Sequence, residues 1–244
     1  MAGAMLSRWL ETGLDPEKVT VVRPSGRPVA NVRVLTAPPA EPPPAMLMLG
    51  MKPQMLAGAA PGWQAASEGA LVVSILAGTT IETLKALFPK ARRVVRAMPN
   101  LPVALGKGVV AMHGVRDPQV EALMTPLGLV EWIDDEAHFD AVTALAGSGP
   151  AFLYRFIDAL AKGGTALGIG ADQAARLALA TVEGAAALAV RSDATPAELA
   201  ERVASKGGST RAGLDVLDSQ LDVLVAATLA AAERRNAGLA TSRG

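Results

Sequence analysis

Between two stretches of alanine and leucine, Lys206-Gly207-Gly208-Ser209-Thr210 interrupts the sequence with small polar residues. Two adjacent glycines in an element interior each cost up to about 1 kcal/mol relative to alanine, so the interruption needs a reason. Gly207, Gly208 and Ser209 can present successive backbone N–H groups in a concave nest, with the Ser205 and Thr210 hydroxyls beside them. A helix beginning near Thr210 adds its positive end, and the result suits a small carboxylate. A plain turn does not explain why both glycines and three small polar side chains cluster between apolar helices.

A second group of candidates follows short apolar runs. Arg23, Ser25 and Arg27 follow Val19–Val22, Lys52 and Pro53 follow Met46–Met51, and Asn100 follows Arg93–Met98. Open parallel sheets bind ligands at the carboxyl ends of their strands, so these positions carry weight if the runs are strands. Arg23, Ser25 and Arg27 could embrace the 2′-phosphate of a dinucleotide, or form a solvated basic loop. Lys-Pro and Pro-Asn are also common turn starters.

The elements that must position these residues come in two textures. Up to about Asp135, brief apolar runs bounded by turns alternate with helical segments: Val19–Val22, Met46–Met51, Leu71–Leu76 and Arg93–Met98 read as strands buried on both faces. Thr79 or Thr80 can cap the helix that follows Leu76. The runs at 108–114 and 128–134 would extend the same sheet. This alternation predicts an α/β doubly wound domain over residues 1–135. From Glu136 to Gly244 no strand is evident, and helices follow one another; Thr195 to Glu198 has capping-box spacing. The stretch Leu177–Val190 is apolar nearly all round, so it must be covered by a second subunit or by the sheet domain of the same chain. Thr36–Ala45 reads as a stiff proline-rich connector.

Composition narrows the class. The 244 residues are 50% apolar, and 23 basic residues balance 23 acidic ones, which gives no electrostatic footprint for nucleic acid or an anionic membrane. Cysteine is absent and only His113 and His138 are present, so neither disulfides nor a histidine metal site is expected. Ala45–Met51, weighed as the longest membrane candidate, is too short to span a bilayer. No signal-peptide layout is present, and a cytoplasmic protein is expected.

Four segments in order carry a resemblance. "LGMKPQ", "RAMPNLPVALGKGVVAM", "VTALAGSGPAFLYRFIDALAKGGTALGI" and "RVASKGGSTRAGLDVLD" resemble the characteristic stretches of pyrroline-5-carboxylate reductases. The resemblance implies a dinucleotide-binding domain, a helical domain that dimerises, and an active site between subunits of a homodimer or a higher assembly of dimers. NADPH, or NADH, would then supply hydride to the C=N carbon of 1-pyrroline-5-carboxylate to give L-proline. Position by position it implies that Thr210 hydrogen-bonds the ring nitrogen. Ser205, Gly207, Gly208 and Ser209 would cradle the carboxylate. Lys52, Pro53 and Asn100 would lie on the cofactor side near the nicotinamide, and Arg23 and Ser25 would meet the 2′-phosphate. Lys206 replaces the family's usual proline, and Ser209 stands where threonine or alanine is common.

The largest departure is at the start. The family opens with a buried strand and a glycine-rich turn, whereas "MAGAMLSRWLETGLD" is already inside the first helix, with Gly3 left from the turn region. On that resemblance the chain as written is expected to fold poorly in its first half and to bind NADPH weakly, a start methionine placed too late being the explanation. Two rivals remain: a dimeric homologue that no longer binds cofactor, and an NADP-dependent 2-hydroxy or 2-keto acid reductase. The latter chemistry calls for a histidine or lysine to move a carbonyl proton, and no histidine follows His138.

Overall fold

The computed structural model describes residues 1–39 and 42–241; residues 40 and 41, inside the proline-rich connector, lie outside the described residues. The chain divides into two compact units, one of residues 1–148 with 231–244 and the other of residues 149–230.

In the first unit, α1 (Ala2–Glu11) leads to β1 (Thr20–Val22) and β2 (Arg33–Leu35), then to β3 (Met46–Leu49). The chain continues through α2 (Leu56–Ser67), β4 (Leu71–Ser74), α3 (Ile81–Leu87), β5 (Arg93–Pro99), β6 (Gly108–Gly114), α4 (Pro118–Met124) and β7 (Gly128–Trp132). Strands β3 to β7 form one five-stranded sheet in chain order. Within it β3, β4 and β5 are parallel, β6 runs antiparallel to β5, and β7 is parallel to β6. Strands β1 and β2 pair in parallel as a separate two-stranded sheet. No hydrogen bond joins the two sheets, so β1 and β3 each keep one unpaired edge among the described residues.

Side chains explain why the runs become strands. Along β4, Leu71 and Val73 enter one apolar cluster with Met5, Leu6 and Trp9 of α1 and with Val120 and Met124 of α4. Val72 between them enters the other cluster, with Leu56 and Ala60 of α2 and Leu84 of α3. Helices thus cover both faces, which is why β4 carries an unbroken apolar run. Thr80 is the residue that caps α3, accepting from the Thr83 N–H. Gly128 opens β7 with φ +135°, and a Cβ there would stand 2.1 Å from the Gly108 carbonyl oxygen. Only glycine lets the two strands meet so closely.

A four-residue helix, α5 (Phe139–Val142), runs into a π-helical turn, Thr143–Gly147. The second unit then comprises α6 (Gly149–Ala166), α7 (Ala171–Arg191), α8 (Pro196–Val203), α9 (Ser209–Asp218) and the first ten residues of α10 (Leu221–Thr241), the rest of which belongs to the first unit. Thr195 and Glu198 do form a capping box at α8. In α7 only Ala174 and Ala178 are buried, while Leu177, Leu179, Leu188 and Val190 are 51%, 57%, 62% and 88% exposed. Ala45–Met51 is not the longest candidate: among the described residues, α7 is the one helix long and apolar enough to cross a bilayer by length and composition. Its many alanines dilute the leucines and hide the stretch from a search for solid apolar runs.

Candidate functional site

Lys52, Pro53 and Asn100 sit where parallel strands end. Lys52 follows β3, is exposed, and starts a 3₁₀ turn in which its carbonyl accepts from the Met55 N–H at 2.9 Å. Asn100 follows β5 and is only 6% exposed. Its Oδ1 accepts from the Val109 N–H at 2.8 Å, and its Nδ2 donates to the Ala146 carbonyl at 2.9 Å. A Cβ on Gly50, just past β3, would stand 2.9 Å from Ala2 Cβ, which places the first turn of α1, and Gly3 with it, beside the same edge. No side chain caps that turn, and a Cβ at Gly3 would meet nothing within 4 Å. The fold therefore gathers Gly3, Lys52, Pro53 and Asn100 at the carboxyl ends of β3 and β5, the ligand edge of an open sheet.

Arg23 and Ser25 belong to the two-stranded sheet. The Arg23 N–H continues the ladder to the Leu35 carbonyl at 2.9 Å, and the Gly26 N–H closes a turn on the Arg23 carbonyl at 3.1 Å, with Gly26 at φ +61°. Ser25 and Arg27 are exposed on that turn. A cation and a hydroxyl at a strand end can hold a phosphate.

Ser205, Gly207, Gly208, Ser209 and Thr210 lie together in the second unit. Gly207 takes φ +73°, and the Gly208 N–H turns inward to the Ser205 carbonyl at 2.9 Å. The Gly208 amide is thus used within the turn, and the donors facing outward are the first amides of α9, which has no side-chain cap. The hydroxyls of Ser205, Ser209 and Thr210 make no hydrogen bond within the described residues, and all three side chains are exposed. A pair of charges that sequence spacing did not disclose holds the loop: Arg211 of α9 binds Glu201 of α8 and lies 4.0 Å from Asp215. The hydrogen bond from Arg211 holds the Glu201 carboxyl below its usual range, and Glu201 raises Arg211 in turn. Uncapped amides, three unpartnered hydroxyls and a braced turn are a set of donors that could take a small anion.

A buried cluster also escaped the sequence reading. Arg96 of β5, 5% exposed in its side chain, places Nη1 2.5 Å from Glu136 Oε1 and lies 4.1 Å from the centroid of the Phe139 ring. Glu136 Oε1 also accepts from the Ile81 N–H at 2.9 Å. The 40 residues separating Arg96 from Glu136 give no local signal.

A family model described as pyrroline-5-carboxylate reductase dimerisation matches residues 136–239. The pyrroline-5-carboxylate reductase of Synechocystis sp. is 34% identical over 236 residues, covering 89% of this chain and 86% of that protein. The chain belongs to the pyrroline-5-carboxylate reductase family. The Pseudomonas aeruginosa pyrroline-5-carboxylate reductase is 39% identical over 181 residues, 71% of this chain, and the match spans 66% of that protein's length, just under two thirds. The crystal structure of Plasmodium falciparum pyrroline carboxylate reductase with NADP bound superposes with a TM-score of 0.84 at 21% identity, over 97% of this chain and 93% of that one. At that identity the likeness establishes the shared fold: a Rossmann-like sheet domain followed by helices. Within the pyrroline-5-carboxylate reductase family, the dimerisation match takes in the whole Ser205–Thr210 turn and all of α7.

Proposed function

We propose that this chain reduces 1-pyrroline-5-carboxylate to L-proline with NADPH, or NADH, as reductant. The observation that carries the reading is the Ser205–Thr210 receptor, a carboxylate-sized set of amides and hydroxyls within a chain of this family. Its first-turn amides and the Ser205 and Ser209 hydroxyls hold the substrate carboxylate, and the Thr210 hydroxyl hydrogen-bonds the ring nitrogen. Gly207 gives the turn the left-handed backbone it needs. Catalysis is then chiefly a matter of fixing one face of the imine against the reductant. A substrate already protonated on nitrogen gains its C–H bond without a general acid.

The residues at the sheet edge fit a dinucleotide. Arg23 and Ser25 would hold the 2′-phosphate, the uncapped start of α1 with Gly3 would meet the pyrophosphate, and Lys52 and Pro53 would line the nicotinamide end, near which Asn100 also lies. When bound, the cofactor supplies the hydride that reaches the C=N carbon.

Thr210→Val keeps the side-chain volume and removes one hydroxyl. It is expected to lower kcat/KM by roughly 1–3 kcal/mol with the melting temperature nearly unchanged. Wild-type kinetics in the folded variant would remove Thr210 from the mechanism.

Exposed Leu177, Leu179, Leu188 and Val190 of α7 support a homodimer, or a higher assembly of dimers; we place the enzyme in the cytoplasm. An apolar helix of this size left open in one chain is covered by a partner subunit in solution. Sedimentation at micromolar concentration is expected to show at least a dimer; a clean monomer would refute the shared interface.

A further inference from the structure

We infer that Asn100 is a positioning residue for this reaction, acting through the turn at Ala146 rather than through direct contact with a ligand. The inference rests on the reductase reading and deepens it at the sheet edge.

Asn100 has little left to offer a ligand. Its Oδ1 is held by the Val109 N–H and its Nδ2 by the Ala146 carbonyl, while its backbone N–H donates to the Val109 carbonyl at 3.1 Å. At 6% exposure, one side-chain amide hydrogen and one lone pair of Oδ1 are all that its side chain has uncommitted.

The sequence explains why Ala146 needs this bond. In a continuing helix its carbonyl would accept from the N–H four residues on, but residue 150 is proline and has none. The chain responds with the π-helical turn Thr143–Gly147, in which the Ser148 N–H reaches back five residues to the Thr143 carbonyl at 3.0 Å. Such wide turns recur at functional sites because they break the regular ladder and aim a short segment. Asn100 supplies the donor that Pro150 lacks, and so ties the turn to the end of β5. The residues beside the two bonded partners, Leu101 and Leu145, are 58% and 62% exposed. The bond therefore ties the backbone that carries two open apolar side chains to the end of β5, the edge that the reductase reading gives to the nicotinamide.

Proline 150 makes the test specific. Asn100→Ala removes the donor, and Pro150→Ala restores an N–H that Ala146 can use within the helix. At a temperature where every variant is folded, Asn100→Ala is expected to lower kcat about tenfold, and Asn100→Ala/Pro150→Ala to recover to within about threefold of wild type. Pro150→Ala alone is expected to leave turnover unchanged. Asn100→Asp keeps the acceptor for Val109 but turns an oxygen toward the Ala146 carbonyl, and is expected to match Asn100→Ala. Amide exchange over residues 143–149 is expected to quicken about tenfold in both single Asn100 variants and to slow again in the double variant. If Pro150→Ala restores neither turnover nor protection, the inference is overturned. A wild-type chain that does not reduce pyrroline-5-carboxylate would sink the reductase reading instead, and the exchange measurement would still decide whether Asn100 holds the turn.

Discussion

Gly208→Val is expected to abolish carboxylate recognition while the rest of the chain stays folded. A Cβ at this position would stand 2.5 Å from Ser205 Oγ and 3.1 Å from the Ser205 carbonyl oxygen. The hydroxyl can swing aside, but the carbonyl is backbone and accepts the Gly208 N–H at 2.9 Å. A branched side chain therefore opens the turn, displaces the Ser205 hydroxyl and shifts the first amides of α9. Gly208 itself has φ −80°, which valine tolerates, so the cost falls on the receptor rather than on the local backbone. We expect kcat/KM to fall at least about a hundredfold, roughly 2.7 kcal/mol. Proline as product should raise the melting temperature of wild type and leave that of the variant in place. Full protection of the variant by proline would show that the carboxylate binds elsewhere.

Glu136→Ala is expected to give the largest loss of stability among single changes at the surface of the first unit. It strands Arg96, whose side chain is 5% exposed, between the Phe139 ring and the sheet, and it removes the acceptor of the Ile81 N–H. Breaking a buried pair costs about 3–5 kcal/mol; with Glu136 itself 28% exposed, the low end applies. About 3 kcal/mol corresponds to a drop of roughly 6–12 °C in melting temperature for a chain of this size. Replacing both residues, as in Arg96→Met/Glu136→Leu, should recover much of the loss, because no buried charge is then left alone. A melting temperature within a degree of wild type for Glu136→Ala would show the pair to be energetically idle.

The sheet was legible because its central strands are buried on both faces. The mostly apolar runs of β3, β4 and β5 mark them, as does the turn chemistry between them. Strand β2 was not legible: it has three residues, begins with exposed Arg33 and pairs only with β1. The turn at Ser205–Thr210 announced itself through two glycines among helix formers, a conflict between local propensity and surroundings that sequence alone displays. Its inner arrangement did not, because the direction of the Gly208 N–H is a property of the folded turn. The bonds from Asn100 to Ala146 and from Arg96 to Glu136 span 46 and 40 residues, and no periodicity links residues so far apart. In α7 the signal was present but diluted, since alanine fills the spaces between the exposed leucines and Val190.

The most direct test of the account is the oxidation of NADPH by the purified chain in the presence of 1-pyrroline-5-carboxylate, with proline identified as the product. The cofactor should be supplied in excess, because β1 and β3 each leave an edge unpaired next to the residues assigned to it. The account predicts stoichiometric formation of proline and NADP⁺, lost on Gly208→Val and reduced on Thr210→Val. A folded, dimeric wild-type chain that consumes no NADPH with this substrate would contradict it.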